Sequence, residues 1–133
     1  MPRVSIVVIA ALLLGSAPAA AQGKRPPDFD GLGREVAVRL SEYLRVGTVN
    51  PPGGETAGAR WMQDVLRGEG IASEIFESAP GRGNLYARLK GTGTRRPLIL
   101  LSHIDVVPAV AVRWQVDPFA GLVQDGYVWG RGT

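Results

Sequence analysis

Pro97-Leu98-Ile99-Leu100-Leu101-Ser102-His103-Ile104-Asp105-Val106-Val107-Pro108 is the stretch on which the fold turns. Its first five residues form an unbroken apolar run without a charge. Such a run suits a strand covered on both faces, as in the sheets of α/β proteins. Ligands of open α/β sheets gather at the carboxyl ends of their strands. The chain's only histidine, His103, stands at that end, and Asp105 follows two residues later. Alternation along an extended chain turns both side chains to the same side. Two roles are then open to the pair. Both groups bind one metal, or the carboxylate orients the imidazole from behind it. Spacing does not choose between these, and a His–Asp hydrogen bond is also a common structural feature. One histidine and one aspartate are in any case fewer than the three protein ligands of a zinc site.

Upstream of this stretch the pattern is helical. Leu32, Val36, Leu40 and Tyr43/Leu44 recur at helical spacing and predict a helix over Asp30 to Val46. Asp28 or Asp30 can cap its start, and Gly47 ends it. Thr48-Val49-Asn50-Pro51-Pro52-Gly53-Gly54 reads as a stiff loop, more a rigid connector than a substrate contact. A second helix is expected from Glu55 to Arg67, with Ala57, Trp61 and Val65 on one stripe and Glu55 and Asp64 in solvent. Ile71 to Glu77 and Asn84 to Lys90 read as strands, the second with Leu85, Ala87 and Leu89 on one face. Downstream, Asp125-Gly126 between Leu122-Val123 and Tyr127-Val128-Trp129 is a hairpin signal. Together these predict an α/β fold with a mixed sheet and flanking helices.

Composition narrows the function classes. Over 133 residues, 45% are hydrophobic and 20% charged, which fits a globular domain. The net charge of +3 comes from scattered Lys and Arg with no basic stripe, so nucleic-acid binding finds no support. There is no cysteine, so disulfides and thiolate zinc sites are excluded. Any metal must be held by His, Asp and Glu, which favours a hydrolytic site over a structural zinc module. Gly91-Thr92-Gly93 is too short for a phosphate loop.

The first 21 residues read as a signal peptide. Arg3 precedes the apolar run Val4 to Leu14, and Ala19-Ala20-Ala21 offers small residues for cleavage after Ala21. The run is short of the ~20 residues that span a bilayer, although an uncleaved anchor is the rival reading. No cysteine follows it to carry a lipid. A secreted or periplasmic protein without a stable membrane anchor is expected.

Three pieces occur in order: Ser102 to Pro108, then Trp114 with Asp117-Pro118-Phe119, then Asp125-Gly126-Tyr127-Val128-Trp129-Gly130-Arg131-Gly132-Thr133. Thr48 to Gly53 and Asn84 to Gly91 add weaker support. This ordered set resembles the metallopeptidase family of aminoacylase, glutamate carboxypeptidase, carnosine-type dipeptidases, acetylornithine deacetylase and succinyl-diaminopimelate desuccinylase. The resemblance implies a zinc-exopeptidase-like catalytic domain with two Zn2+ ions at the edge of a mixed sheet. Co2+ or Mn2+ also fits a His/carboxylate site. By the same resemblance His103 is a metal ligand, and Asp105 is the active-site carboxylate that positions it. The bridging aspartate, the general-base glutamate, the other ligands and a dimerisation domain are expected beyond Thr133. Residues 22–133 are thus expected to be the N-terminal portion of that domain, a fragment inactive alone, from a homodimeric parent. The implied activity is cleavage of an amide bond in peptides or N-acyl amino acids by an exported carboxypeptidase, dipeptidase or aminoacylase. The alternative is an inactive fragment, or a non-enzymatic binding module on the same scaffold. Gly130, Arg131 and Gly132 suggest a tight turn that places the next ligand, while Trp114, Phe119 and Trp129 read as packing rather than pocket wall. The sequence identifies no substrate-binding residue.

Overall fold

A computed structural model describes residues 26–133, so the signal peptide expected at 1–21 lies outside the described residues. Helix α1 (Phe29–Leu44) starts where Asp28 accepts a hydrogen bond from the Gly31 amide at 2.9 Å. Such a cap satisfies one of the four amides a helix start leaves unpaired and contributes about 1 kcal/mol. The helix ends before Gly47, whose φ of 68° is a left-handed conformation that suits glycine. Only the C-terminal end of its apolar stripe is covered: Leu44 is buried, whereas Leu32 and Val36 are exposed.

Helix α2 (Glu55–Gly68) follows the Pro-rich loop. It packs on an antiparallel hairpin, β1 (Ser73–Glu77) with β2 (Gly83–Ala87). Ile75 and Leu85 oppose each other in the ladder and are half-buried, while their neighbours Phe76 and Tyr86 point to solvent. That is the period-two pattern of a sheet with one covered face. Gly83 lies so close to α2 that a Cβ there would fall 2.7 Å from Thr56 Cα. Against expectation Ala57 is exposed, and Gly58 and Ala59 are the buried positions of α2. Tyr43 and Trp61 join the two helices, ring centres 5.3 Å apart.

A second hairpin, β3 (Leu122–Gln124) with β4 (Tyr127–Trp129), turns through Asp125 at φ 54° and Gly126 at φ 80°. Two positive φ angles make the turn whose twist matches a two-residue hairpin. This hairpin docks on the end of α1. Ser41 Oγ donates to Gly121 O, Arg45 Nε donates to Ala120 O at 3.0 Å, and Gly130 sits against Leu44.

The α/β class holds, with two antiparallel two-stranded sheets and one isolated parallel bridge, Val49 to Val106, among the described residues. The run Leu98 to Leu101 departs from expectation. It pairs with no strand and is exposed on both sides, Leu101 by 94%. Apolar character makes a segment suited to burial but does not supply a neighbour, and a ladder needs one at each edge. The parallel pairing forms instead just beyond the run, at Val106. No helix of the described residues is long and apolar enough to cross a membrane.

Candidate active site at the His103–Asp105 pair

The segment 104–106 is held by the loop that follows α1. Val106 N–H donates to Thr48 O and Asn50 N–H donates to Val106 O, both at 2.9 Å. The hydroxyls of Tyr43 and Thr48 both donate to Ile104 O, at 2.7 and 2.6 Å. Thr48 is itself buried, so its hydroxyl needs this partner. Burial raises the Tyr43 phenol above its ordinary pKa, the Thr48 hydrogen bond opposing the shift, and the phenol therefore stays a donor at neutral pH. Four hydrogen bonds thus fix the backbone beneath Asp105.

On that base, the His103 and Asp105 side chains turn to the same side. His103 Nδ1 lies 3.0 Å from Asp105 Oδ1 and 3.1 Å from the Asp105 carbonyl oxygen. Asn50 Nδ2 donates to the other carboxylate oxygen, Oδ2, at 2.9 Å. These two hydrogen bonds, that from Asn50 first, hold the Asp105 carboxyl below the usual carboxylate range. At neutral pH it is therefore a carboxylate and only accepts. Nδ1 must then carry a proton, and in the neutral ring Nε2 is left with its lone pair. The His103 side chain is 85% exposed, so that lone pair is accessible.

The pair lines a cleft of about 460 Å³. Asn50 lines it too, and across it stand Glu55, Arg82 and Asn84 from α2 and the β1–β2 hairpin. Glu55 is not the solvated residue expected: its side chain is 12% exposed and its Oε1 accepts from Arg82 Nη1 at 2.8 Å. Glu55 Oε2 is buried without a partner. Neither Asn50 nor the Glu55–Arg82 pair stood out in the sequence as a site residue. Asp64 is exposed as expected and pairs with Arg67. Trp114, Phe119 and Trp129 do not line the cleft. Trp114 instead stacks under the Arg131 guanidinium, 4.9 Å away. The glycine turn is sterically required at Gly132, which has φ 104° and would place a Cβ 2.7 Å from Val106 Cγ1.

Metal-ligating histidines almost always give their other ring nitrogen to a carboxylate, carbonyl or water. The His103 ring meets that condition twice over, so its chemistry fits one coordination position. Among the described residues, no three His, Cys, Asp or Glu side chains gather to hold a metal ion. The described residues therefore offer one imidazole and the carboxylate hydrogen-bonded to it, not a whole metal site.

No family model matches the chain. Several curated proteins do. Aminoacylase-1 of Sus scrofa is 36% identical over 94 residues, which cover 69% of this chain and 23% of that protein. Succinyl-diaminopimelate desuccinylase of Methylobacterium radiotolerans is 40% identical over 105 residues, 74% of this chain and 26% of that protein. N-fatty-acyl-amino acid synthase/hydrolase PM20D1 of Bos taurus is 54% identical over 46 residues, 34% of this chain and 9% of that protein. The chain spans about a quarter of the length of the first two. With relatives as different as these agreeing, the chain belongs to the M20 family of aminoacylase-1 and succinyl-diaminopimelate desuccinylase.

Proposed function

We propose that the whole protein carrying this segment is an exported, zinc-dependent hydrolase of amide bonds in peptides or N-acyl amino acids. The observation that carries the reading is the His103 ring, tied at Nδ1 to Asp105 and open at Nε2 on the rim of a cleft. The names of the relatives, an aminoacylase, a desuccinylase and an N-fatty-acyl-amino acid synthase/hydrolase, point the same way. Export rests on the apolar run Val4 to Leu14 and the alanines at 19–21.

In this reading His103 Nε2 holds one of the metal ions, and the remaining ligands come from outside the described residues. Zinc supplies Lewis acidity toward the scissile carbonyl and acidifies water at neutral pH. The work of this chain is positional. Asp105 keeps the imidazole in the tautomer whose Nε2 is free, and its negative charge raises the basicity of that nitrogen. Tyr43, Thr48 and Asn50 keep Asp105 itself from moving.

The experiment is hydrolysis of an N-acyl amino acid and of a dipeptide by the whole protein. Activity should stop on adding a chelator and return with zinc. Hydrolysis indifferent to the chelator overturns the reading, and binding of these substrates without turnover selects the binding-module alternative. The outer role of Asp105 has its own expected result. Asp105→Ala should weaken zinc affinity or activity by about 10–100-fold, the usual loss for such a partner. Atomic absorption on the dialysed variant measures the first and initial rates measure the second. An unchanged value of both removes Asp105 from the site.

A further inference from the structure

We infer that Asn50 is a positioning residue, whose side-chain amide fixes the Asp105 carboxylate and, through it, the tautomer and orientation of the His103 ring. A carboxylate with one anchored oxygen can still rotate about its Cβ–Cγ bond. Here both oxygens are engaged: Oδ2 by Asn50 at 2.9 Å and Oδ1 by His103 at 3.0 Å. The two bonds hold the carboxylate plane on the line between the two side chains. Both involve an ionised acceptor, which makes them stronger than neutral hydrogen bonds. The acceptor also decides the direction of the amide, because a carboxylate oxygen can face only the NH2 side of Asn50.

The backbone makes Asn50 the residue suited to this task. Its own N–H is bonded to Val106 O, immediately after Asp105, and Val49 and Val106 form the parallel bridge. The amide is thus held in register with the carboxylate by two main-chain hydrogen bonds that do not involve its side chain. Gly53 N–H to Val49 O, at 3.1 Å, closes the loop behind it. Asn50, Asp105 and His103 all line the same cleft. The loop read as a rigid connector therefore delivers a donor to the site as well.

The effect on the ring needs only these contacts. Its consequence for metal binding rests on the reading of His103 as a ligand. The test separates the two, because His103 is the only histidine of the chain. Two-bond proton–nitrogen correlation spectra of the nitrogen-labelled full chain, at one alkaline pH, then report a single imidazole. The wild type should show protonated Nδ1 and unprotonated Nε2. In Asn50→Ala the Nδ1–H fraction should fall measurably, toward the Nε2–H tautomer that free histidine prefers, with the Asp105 carbonyl oxygen still facing Nδ1 at 3.1 Å. Asn50→Asp keeps the shape but loses the donor, and should shift the ring in the same direction. Retained amide signals of residues 50 and 106 report that the bridge is intact in each variant. A tautomer unchanged in either folded variant overturns the inference. So does a wild-type Asn50 side-chain amide that exchanges with water as fast as an exposed one, a measurement that needs no variant. Zinc content of the dialysed whole protein reads the other question. If the tautomer shifts but the whole protein keeps its full zinc content in His103→Ala, the positioning role stands and the metal reading fails. If His103→Ala loses zinc and the tautomer is the same in all three proteins, the reverse holds.

Discussion

His103→Ala in the whole protein is expected to remove one zinc per active site and to lower hydrolysis by more than the about 10–100-fold assigned to loss of an outer partner. The ordering follows from position. On the proposed reading Asp105 acts on the metal through the ring, so its loss leaves a ligand that is badly aimed. Loss of the ring leaves no ligand from this chain at all. Nothing nearby takes its place, since no group of three metal-binding side chains occurs among the described residues and no cysteine exists in the chain. The variant should also stay folded, which makes its loss of activity interpretable. The His103 side chain is 85% exposed and its hydrogen bonds reach only Asp105. Substitutions of this kind change stability by no more than about 0.5 kcal/mol. Metal content after dialysis, initial rates and a melting curve on one preparation make the measurement. Full zinc content and wild-type rates in a folded His103→Ala protein would sink the assignment. A His103→Ala protein that melts early would point instead to the structural role that spacing alone left open.

The parts of the fold legible in the sequence are those written in local chemistry. Asp28 and Gly47 bracket α1 because capping and a left-handed terminus are decided by single residues. Asp125-Gly126 gives its turn because few other pairs accept two positive φ angles. The His103–Asp105 contact was legible as far as its side, since alternation depends only on an extended backbone. What closed the site was not legible. Asn50 is 55 residues from Asp105, and Glu55 is 27 from Arg82. Contacts at such separations are set by how the loop after α1 lies against 104–106, which no period encodes. The β1–β2 connection also carries a local signal: Pro80-Gly81 in a five-residue link is ordinary hairpin chemistry, and Gly81 has φ 79°. Leu98 to Leu101 shows the opposite failure. Hydrophobicity told that the run favours cover and said nothing of which segment would provide it. An apolar run and its partner are separate pieces of information, and a single sequence window holds only the first.

Gly121→Ala should be the most destabilising single-methyl change in the described residues, by about 2–5 kcal/mol. Two independent terms add. Gly121 has φ 59°, in the left-handed region, where a side chain costs about 1–2 kcal/mol. The new Cβ would also meet the backbone of α1, against the Ser41 carbonyl oxygen and 2.9 Å from its carbon. Overpacking of that kind costs about 1–3 kcal/mol, and here the obstacle is helix backbone rather than a side chain that can swing aside. Three interactions converge on this contact: Ser41 Oγ on Gly121 O, Arg45 Nη2 on Ser41 Oγ at 3.0 Å, and Arg45 Nε on Ala120 O. To relieve the clash, the β3–β4 hairpin must lift off α1 and give up the two that cross to it, on Gly121 O and Ala120 O. It would also uncover Leu44, one of two buried hydrophobic residues among those described, which lies beneath Gly130 at the end of β4. Gly126→Ala is the matched control. Gly126 has φ 80° but nothing within 4 Å of an added Cβ, so only the first term applies there. Denaturant melts of the two variants should differ by the second term, with Gly121→Ala the less stable. Equal losses would mean that the hairpin does not rest on α1 in solution. The site then feels the difference indirectly. Gly132, at the end of the same segment, sits against Val106, and Val106 carries the bridge that registers Asn50 with Asp105. A hairpin lifted from α1 should therefore loosen the His103 ring as well, and its signals in Gly121→Ala should broaden where those in Gly126→Ala do not.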